Sequence, residues 1–320
     1  MGKVTIRDVA AEAGVSISAV SYILNGSTKK KYSETTVKAV RRAAERLRYT
    51  PNSLARGMRS QRANAIGIVS FFERTAYDVP PMLRALTEAA AAVGSSAILC
   101  VGTDDFSYID AFRGRTVDGF ILIAPSSLRF NERAHARALA EAGAPFAILN
   151  ATQRSPGMPS VILDYYSASG LATEHLLSLG RKRIVYVDSF AEDAARELRE
   201  RREGYMDKMR ESGLLPRTYT LEELGVEDLD GIEAVVTARA DTAHALLRRL
   251  LDEGLRVPAC FDIVAGSGED ALEEGYLPLT TVDFPFKEIG EAAIRLATGA
   301  TPPAAVVLSP ILRAGKSVKP

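Results

Sequence analysis

Apolar residues recur at helical spacing in two short runs near the start of the chain. Ile6, Val9, Ala10 and Ala13 share one helix face, and the run stops at Gly14. A second helix, capped by Ser16 and ending near Leu24 before Asn25-Gly26, would bury Val20, Ile23 and Leu24. Its other face departs from the usual surface pattern. Glu and Lys belong there on an ordinary amphipathic helix, whereas VSISAVSYILNG presents Ile17, Ser18, Ser21 and Tyr22, which are compact and uncharged. Such a face suits close insertion against something flat. From Ala65 the pattern changes. AIGIVSFF, AILCVG, GFILIA, FAILN, RIVYVD, AVVTA and DIVAG read as short buried strands. PPMLRALTEAAAAVG, NERAHARALAEAG, ASGLATEHLLSLG, ELRERREGYMDKMRESG and DTAHALLRRLLDEG read as the helices between them, an alternation that predicts parallel sheets.

The charge distribution sharpens the division. The formal net charge of the 320 residues is zero, yet residues 1–64 hold 13 Lys or Arg against 4 Asp or Glu. The remainder holds 27 basic against 36 acidic residues, an excess of nine negative charges that balances the head's nine positive ones. A basic segment with its own core, joined to an acidic body, is the footprint of a nucleic-acid-binding head. Thr5-Ile6-Arg7-Asp8 has the form of a capping box for the first helix. Helix, glycine-containing turn and second helix together match a helix-turn-helix, whose second helix places its N-terminal residues at base edges in the major groove. There Ser18 and Ser21 can bond bases or phosphates, Ile17 can pack on a thymine methyl, and Tyr22 offers a ring and a hydroxyl.

Hydrophobic and charged contents of 47% and 25% are those of a folded globular chain. No apolar run approaches the ~18 residues of a membrane span, and MGKVTIRDVA lacks the apolar core of a secretion signal. A cytoplasmic protein is expected, with Cys100 and Cys260 reduced. His135, His175 and His244 have no metal spacing, so neither metal nor cofactor is expected. DIVAGSGEDALEEG holds a Gly-x-Gly-x-x-Ala after a strand, but the dinucleotide fingerprint should open a domain's first βαβ unit and carry an acid ~20 residues later. Here the motif is late and Asp283 comes too early. An NAD-linked enzyme is therefore a minor alternative, and the chain is not expected to be an enzyme.

VTIRDVAAEAGVSISAVSYILNG and YSETTVKAVRRAAERLRYTPNSLARGMRS closely resemble the opening of the LacI/GalR family of bacterial transcription regulators. Weaker likeness continues in VDGFILIAPS, LATEHLLSLGRKRIVYV, EGLRVPACFDIVAG and LPLTTVDFPFKEIG. The resemblance implies an all-α helix-turn-helix head over residues 1–50, a hinge helix and linker over 51–64, and an α/β body over 65–320. The body would be of periplasmic-binding-protein type, with lobe 1 at about 65–162 and 285–305 and lobe 2 at about 163–284 and 306–320. Chain crossings would fall near Val161–Asp164, Asp283–Pro285 and Ala304–Leu308.

It further implies a homodimeric repressor on a pseudo-palindromic double-stranded operator, modulated by a small molecule between the lobes. DNA contacts are expected from Thr5, Ser16, Ile17, Ser18, Ser21, Tyr22, Asn25, Tyr49 and Asn52. The basic loop residues Lys29, Lys30 and Lys31 would touch phosphates, a solvated charge run being the alternative. Tyr22 stands where the family usually has an arginine that reads guanine, so an altered half-site is expected. The hinge, Ser53 to Arg59, is too short to be stable alone and is weakened by Gly57, so it should fold on DNA. Met58 would be the minor-groove wedge, with Ala55 allowing close approach and Arg56 reaching phosphate; an ordinary linker is the alternative.

Effector contacts are expected at Tyr77, Asp78, Asn150, Arg199, Asp241, Glu269 and Asp270. For Arg199 the other reading is one more helix charge among Arg196, Arg201 and Arg202. The family's Asn-Asp pair is replaced by Arg239-Ala240, and its Phe-Asp-Asp motif by Gly266-Ser267-Gly268. A crevice so depleted in carboxylates suits an anion or a non-sugar metabolite. The helix PPMLRALTEAAAAVG is a candidate dimer surface, and no heptad run follows Leu312 to build tetramers. An effector-independent or protein-partnered regulator is the first alternative. A stand-alone periplasmic-type binding protein is the second, and the basic head argues against it.

Overall fold

The computed structural model describes residues 4–24, 32–49, 62–71, 79–102, 105–125, 130–151, 157–188, 196–225, 227–266 and 277–320. The chain divides into two compact units, Met1–Ala63 and Asn64–Pro320.

Among the described residues the first unit holds three helices, α1 (Ile6–Ala13), α2 (Ile17–Leu24) and α3 (Glu34–Arg46). Side-chain oxygens start each of them. Asp8 accepts from the Thr5 N–H at 2.7 Å and from the Thr5 hydroxyl at 2.8 Å. Ser16 Oγ accepts from the Ala19 N–H, and Ser33 Oγ from the Thr36 N–H, both at 3.2 Å. Gly14 ends α1 at φ 64°, a left-handed conformation that glycine adopts without penalty. The core joins Val9, Val20 and Val40, all fully buried, with Ala10, Ile23, Ala43 and Ala44. Leu24 is only half-buried, and Ala19 takes the buried place beside Val20 and Ile23.

The second unit contains two six-stranded sheets. In the first, β11 (Ala305–Leu308), β5 (Ser160–Leu163), β4 (Phe146–Leu149), β3 (Gly119–Ile123), β1 (Ala65–Ser70) and β2 (Ser96–Val101) lie side by side, all parallel. The second runs β12 (Ile311–Arg313), β10 (Thr280–Asp283), β9 (Asp262–Gly266), β8 (Ala234–Thr237), β6 (Ile184–Asp188) and β7 (Arg217–Thr220), with only β12 antiparallel. The α-helices among the described residues of this unit are α4 (Val79–Ala92), α5 (Asp110–Arg113), α6 (Glu132–Glu141), α7 (Tyr165–Ser178), α8 (Arg196–Glu211), α9 (Ala240–Asp252) and α10 (Phe286–Ala297). Each sheet with its helices is a lobe. Helix α10 packs on α4 and β4 in lobe 1, while α7 packs on α8, β8, β9 and β10 in lobe 2.

Three crossings join the lobes: β5 into α7, β10 into α10, and β11 into β12. The first lies between Leu163 and Tyr165 and the second between Asp283 and Phe286. The third lies further on, because Ala305–Leu308 pairs with Ser160–Leu163 in the first sheet. Residues 306–308 therefore belong to lobe 1, and so does Leu163. The apolar run AAVVLSPIL forms two strands, interrupted at Ser309-Pro310, where proline withholds a backbone donor. Because every crossing leaves the carboxyl end of a strand, the carboxyl edges of both sheets line the boundary between lobes. That is where open parallel sheets bind ligands.

Candidate nucleic-acid interface and interlobe crevice

Helix α2 turns Ala19, Val20 and Ile23 into the head core and leaves the opposite side at the surface. Ile17, in the first turn, is 45% exposed. Ser16, Ser18 and Thr5 are exposed, while Ser21 and Tyr22 are half-buried. The Ser16 and Ser18 hydroxyls lie 3.0 Å apart, so the capping serine also orients its neighbour. Tyr49 packs against the head core, and its N–H donates to the Ala44 carbonyl at 2.8 Å. Arg7, Arg41, Arg42 and Arg48 are exposed on the same unit, and Arg46 pairs with Glu12 across α1 and α3. Asn25, Lys29, Lys30, Lys31, Asn52, Ala55, Arg56 and Met58 lie outside the described residues.

The start of α1 carries a pH dependence. The hydrogen bonds from the Thr5 N–H and hydroxyl hold Asp8 below its ordinary value of 3.8. A carboxylate with a depressed folded pKa stabilises the fold above the unfolded value, and that contribution is lost as pH falls through the folded one. Acidifying from pH 5 to below the ordinary value of 3.8 should cost the wild-type head helix content. Asp8→Asn, already without the charge, should lose less over the same range. Circular dichroism of the two proteins checks this; identical acid profiles would contradict it.

In the crevice, Asn150 sits at the carboxyl end of β4, 4% exposed, with φ 62°. Asparagine tolerates that left-handed conformation better than most residues. Its Nδ2 donates to the Ala124 carbonyl at 3.1 Å, and its oxygens face lobe 2. Arg196, the first residue of α8, donates from Nη2 to Asn150 Oδ1 at 2.9 Å and to the Asn150 carbonyl at 3.1 Å. The Arg196 Nη1 pairs with Glu200 at 3.1 Å. Arg201 is 1% exposed, with its guanidinium 4.8 Å from the Tyr165 ring centroid and 5.8 Å from that of Phe284. Such placement over aromatic faces offsets part of the cost of burying the charge. Arg239, just after β8, is 4% exposed and pairs with Glu197 at 3.1 Å and Asp241 at 3.4 Å. Arg202 reaches Asp188 at 3.4 Å.

Arg201 is the arginine buried against the Tyr165 and Phe284 rings, while Arg199 is half-buried. Residues two apart on a helix do not share a face. The packing reason lies at Gly204, where a Cβ would lie 2.0 Å from the Tyr166 carbonyl oxygen. The side of α8 that includes Gly204 therefore faces α7, and Arg201, three residues earlier, shares it. The glycine of the late Gly-x-Gly-x-x-Ala also has a packing reason. A Cβ on Gly266 would come within 2.7 Å of Arg201 Nη1 and 2.5 Å of the Ala238 carbonyl. Asp241 is a third exposed and accepts from the Thr242 N–H at 2.7 Å as well as from Arg239. Tyr77, Asp78, Glu269 and Asp270 lie outside the described residues. Arg196, Arg239, Tyr165 and Phe284 are crevice residues that pattern reading did not single out as contacts. Among the described residues no group of three or more His, Cys, Asp or Glu side chains could hold a metal ion.

Three family models match the chain. Residues 5–52 fit one described as bacterial regulatory proteins, lacI family. Residues 65–238 fit periplasmic binding proteins and sugar binding domain of LacI family, and 173–318 fit a periplasmic binding protein-like domain. Over 313 residues the chain is 28% identical to catabolite control protein A of Priestia megaterium, covering 92% of each. Over 309 residues it is 25% identical to the HTH-type transcriptional repressor PurR of Mannheimia succiniciproducens, covering 91% of this chain and 90% of that one. Among solved structures it resembles the lac repressor dimer bound to operator and an anti-inducer, with a TM-score of 0.68, 22% identity and 99% of each chain covered. A CelR–cellobiose complex follows at 0.61 and 24%, covering 99% of this chain and all of that one. At such identities the structural likeness is one of fold.

Proposed function

The chain belongs to the LacI family of bacterial transcription regulators, and from that membership we infer that it works as a homodimeric repressor on a two-fold operator. The observation that carries the DNA reading is Ile17, left 45% exposed in the first turn of a helix whose opposite face is core. An apolar side chain held at the surface there, beside small hydroxyls, suits a thymine methyl in the major groove. Lysines of the loop after α2 and the hinge residues Asn52, Ala55, Arg56 and Met58 would add phosphate contacts and the central wedge. The protein acts in the cytoplasm, where its operator is; among the described residues no helix is long and apolar enough to cross a membrane.

A second copy would sit against lobe 1, on the outer side of α4 and the edge strand β2. There Val93, Leu99 and Val101 are 57%, 51% and 61% exposed, an apolar patch suited to a self-complementary contact. The effector would enter between the lobes and meet Arg201 and Asp241. Solved relatives hold cellobiose or ribose. This crevice, with Arg196, Arg201 and Arg239 buried in it, suits an anion or a non-sugar metabolite instead. Calorimetry with sugars and phosphosugars tests the class; micromolar binding of a neutral sugar would overturn it. The alternative, a regulator with no small-molecule effector, is favoured by one observation: Asn150 already has its side-chain oxygen and nitrogen engaged by protein.

Selection of bound sequences from a random duplex pool tests the DNA reading. Two related half-sites in inverted order are expected, and a pool that never enriches would contradict it. Tyr22→Arg should shift the preference at one position toward guanine by roughly 1–3 kcal/mol, the discrimination of a bidentate contact.

A further inference from the structure

We propose that Arg196 and Asn150 form a latch that holds the two lobes closed without any ligand. The proposal rests on the reading of the body as the lever of a DNA-binding regulator, and it assigns that lever its own internal clasp. Arg196 stands at the start of α8 in lobe 2, and Asn150 at the end of β4 in lobe 1. One guanidinium nitrogen bonds both the side-chain oxygen and the carbonyl of Asn150, at 2.9 and 3.1 Å. These are charge-assisted bonds.

Both halves of the clasp are braced. On the lobe 1 side, the 3.1 Å bond from Asn150 Nδ2 to the Ala124 carbonyl fixes the amide so that its oxygen faces the arginine. On the lobe 2 side, Glu200 takes the other guanidinium nitrogen, and the Tyr165 ring lies 5.7 Å from the guanidinium carbon. The next residue, Glu197, is tied to Arg239 at 3.1 Å, so the first turn of α8 is anchored to the β8 end of its own lobe. Pulling Arg196 away from Asn150 therefore moves the lobes rather than one loose side chain. At 6% and 4% exposure, neither partner exchanges its bonds for water until the lobes part. A ligand hydroxyl seeking Asn150 would have to displace a cation already seated there. An effector then acts by breaking or bracing this clasp, through its differential affinity for open and closed forms.

Small-angle scattering of the full chain without added small molecule tests this, comparing wild type with Arg196→Met, Asn150→Gly and the double variant. Glycine at 150 removes the amide while keeping the left-handed backbone, so one variant survives if the other folds poorly. Each single variant is expected to enlarge the radius of gyration, and the double variant to enlarge it no further, as two halves of one contact do. Arg210→Met, which removes only the exposed intrahelical pair with Asp207 further along α8, should scatter as wild type. The latch is overturned if both single variants scatter as wild type, if their effects add, or if Arg210→Met opens the lobes equally. The scattering is read without DNA, so a wild-type protein that ignores duplexes would count against the regulator reading alone.

Discussion

Raising the salt from about 50 mM to about 200 mM is expected to weaken operator binding by a thousandfold or more. Each phosphate neutralised by Lys or Arg releases condensed counterions, and a protein making ~6–10 such contacts loses roughly 10³–10⁵ in affinity over that range. Residues 1–64 carry nine more positive than negative charges. On the described part of the head, Arg7, Arg41, Arg42 and Arg48 are exposed, and a dimer would bring two sets. Lys38 and Arg46 contribute less, since Glu34 and Glu12 already accompany them. The apolar and hydroxyl contacts of α2 release no counterions, so Ile17→Ala should lower affinity without changing the slope against log salt. Titrating one labelled duplex across salt concentrations gives both quantities. A flat dependence would mean that the basic head is a solubility feature.

The second large effect is on folding. Gly204→Ala should destabilise the body by about 3 kcal/mol, the upper end of the usual overpacking cost. The added Cβ would lie 2.0 Å from the Tyr166 carbonyl oxygen and 2.8 Å from its carbon. Both are backbone atoms of α7, so no rotamer change relieves the clash, and α7 and α8 must separate. At roughly 2–4 °C per kcal/mol for a body of this size, its melting temperature should fall by about 10 °C. Gly170→Ala is the control on the facing helix. Its nearest atom would be the Gly204 carbonyl oxygen at 3.8 Å, an ordinary contact. That change should stabilise by roughly 0.5–1 kcal/mol, because alanine loses less entropy than glycine in a helix. Calorimetry reads both. Equal melting temperatures for the two variants would mean that the helices are not packed at this distance.

Pattern reading succeeded where one period ran long enough to be unambiguous. The seven apolar runs from AIGIVSFF to DIVAG all form strands, and the five amphipathic runs all form helices. The elements it did not name are short or polar: Ser160–Leu163, Arg217–Thr220, Thr280–Asp283 and the two pieces around Pro310. Thr280 and Thr281 are fully buried, yet they look like loop residues in sequence. Burial becomes tolerable only because the Gly315 N–H donates to Thr280 at 3.0 Å and Thr281 donates to Asp283 at 2.7 Å. The first bond comes from tertiary folding, 35 positions along the chain, and the second is local to the strand. Helix α10 carries a helical period in Phe286, Ile289, Ala293 and Leu296, but it begins directly after Pro285 at a lobe crossing, where LPLTTVDFPF gives the local pattern no helical lead-in.

The head was more legible than the crevice. Its reading face follows from local periodicity, whereas the crevice is assembled from separate strand ends and the first turns of α8, whose arginines look alike in sequence. Choosing Arg201 over Arg199 needs the α7–α8 approach at Gly204, which only a packed structure supplies. The pairing of Arg196 with Asn150 spans 46 positions and two lobes. Local sequence carries no trace of it.

The central claim is that helix Ile17–Leu24 of two copies reads a duplex through adjacent major grooves. A hydroxyl-radical and methylation footprint of the full chain on its selected duplex addresses it most directly. Two protected blocks related by a dyad, about one helical turn or a small multiple apart, are the expected result. Ile17→Ala should weaken both blocks together. A single protected block, or no protection at any protein concentration in low salt, would contradict the claim.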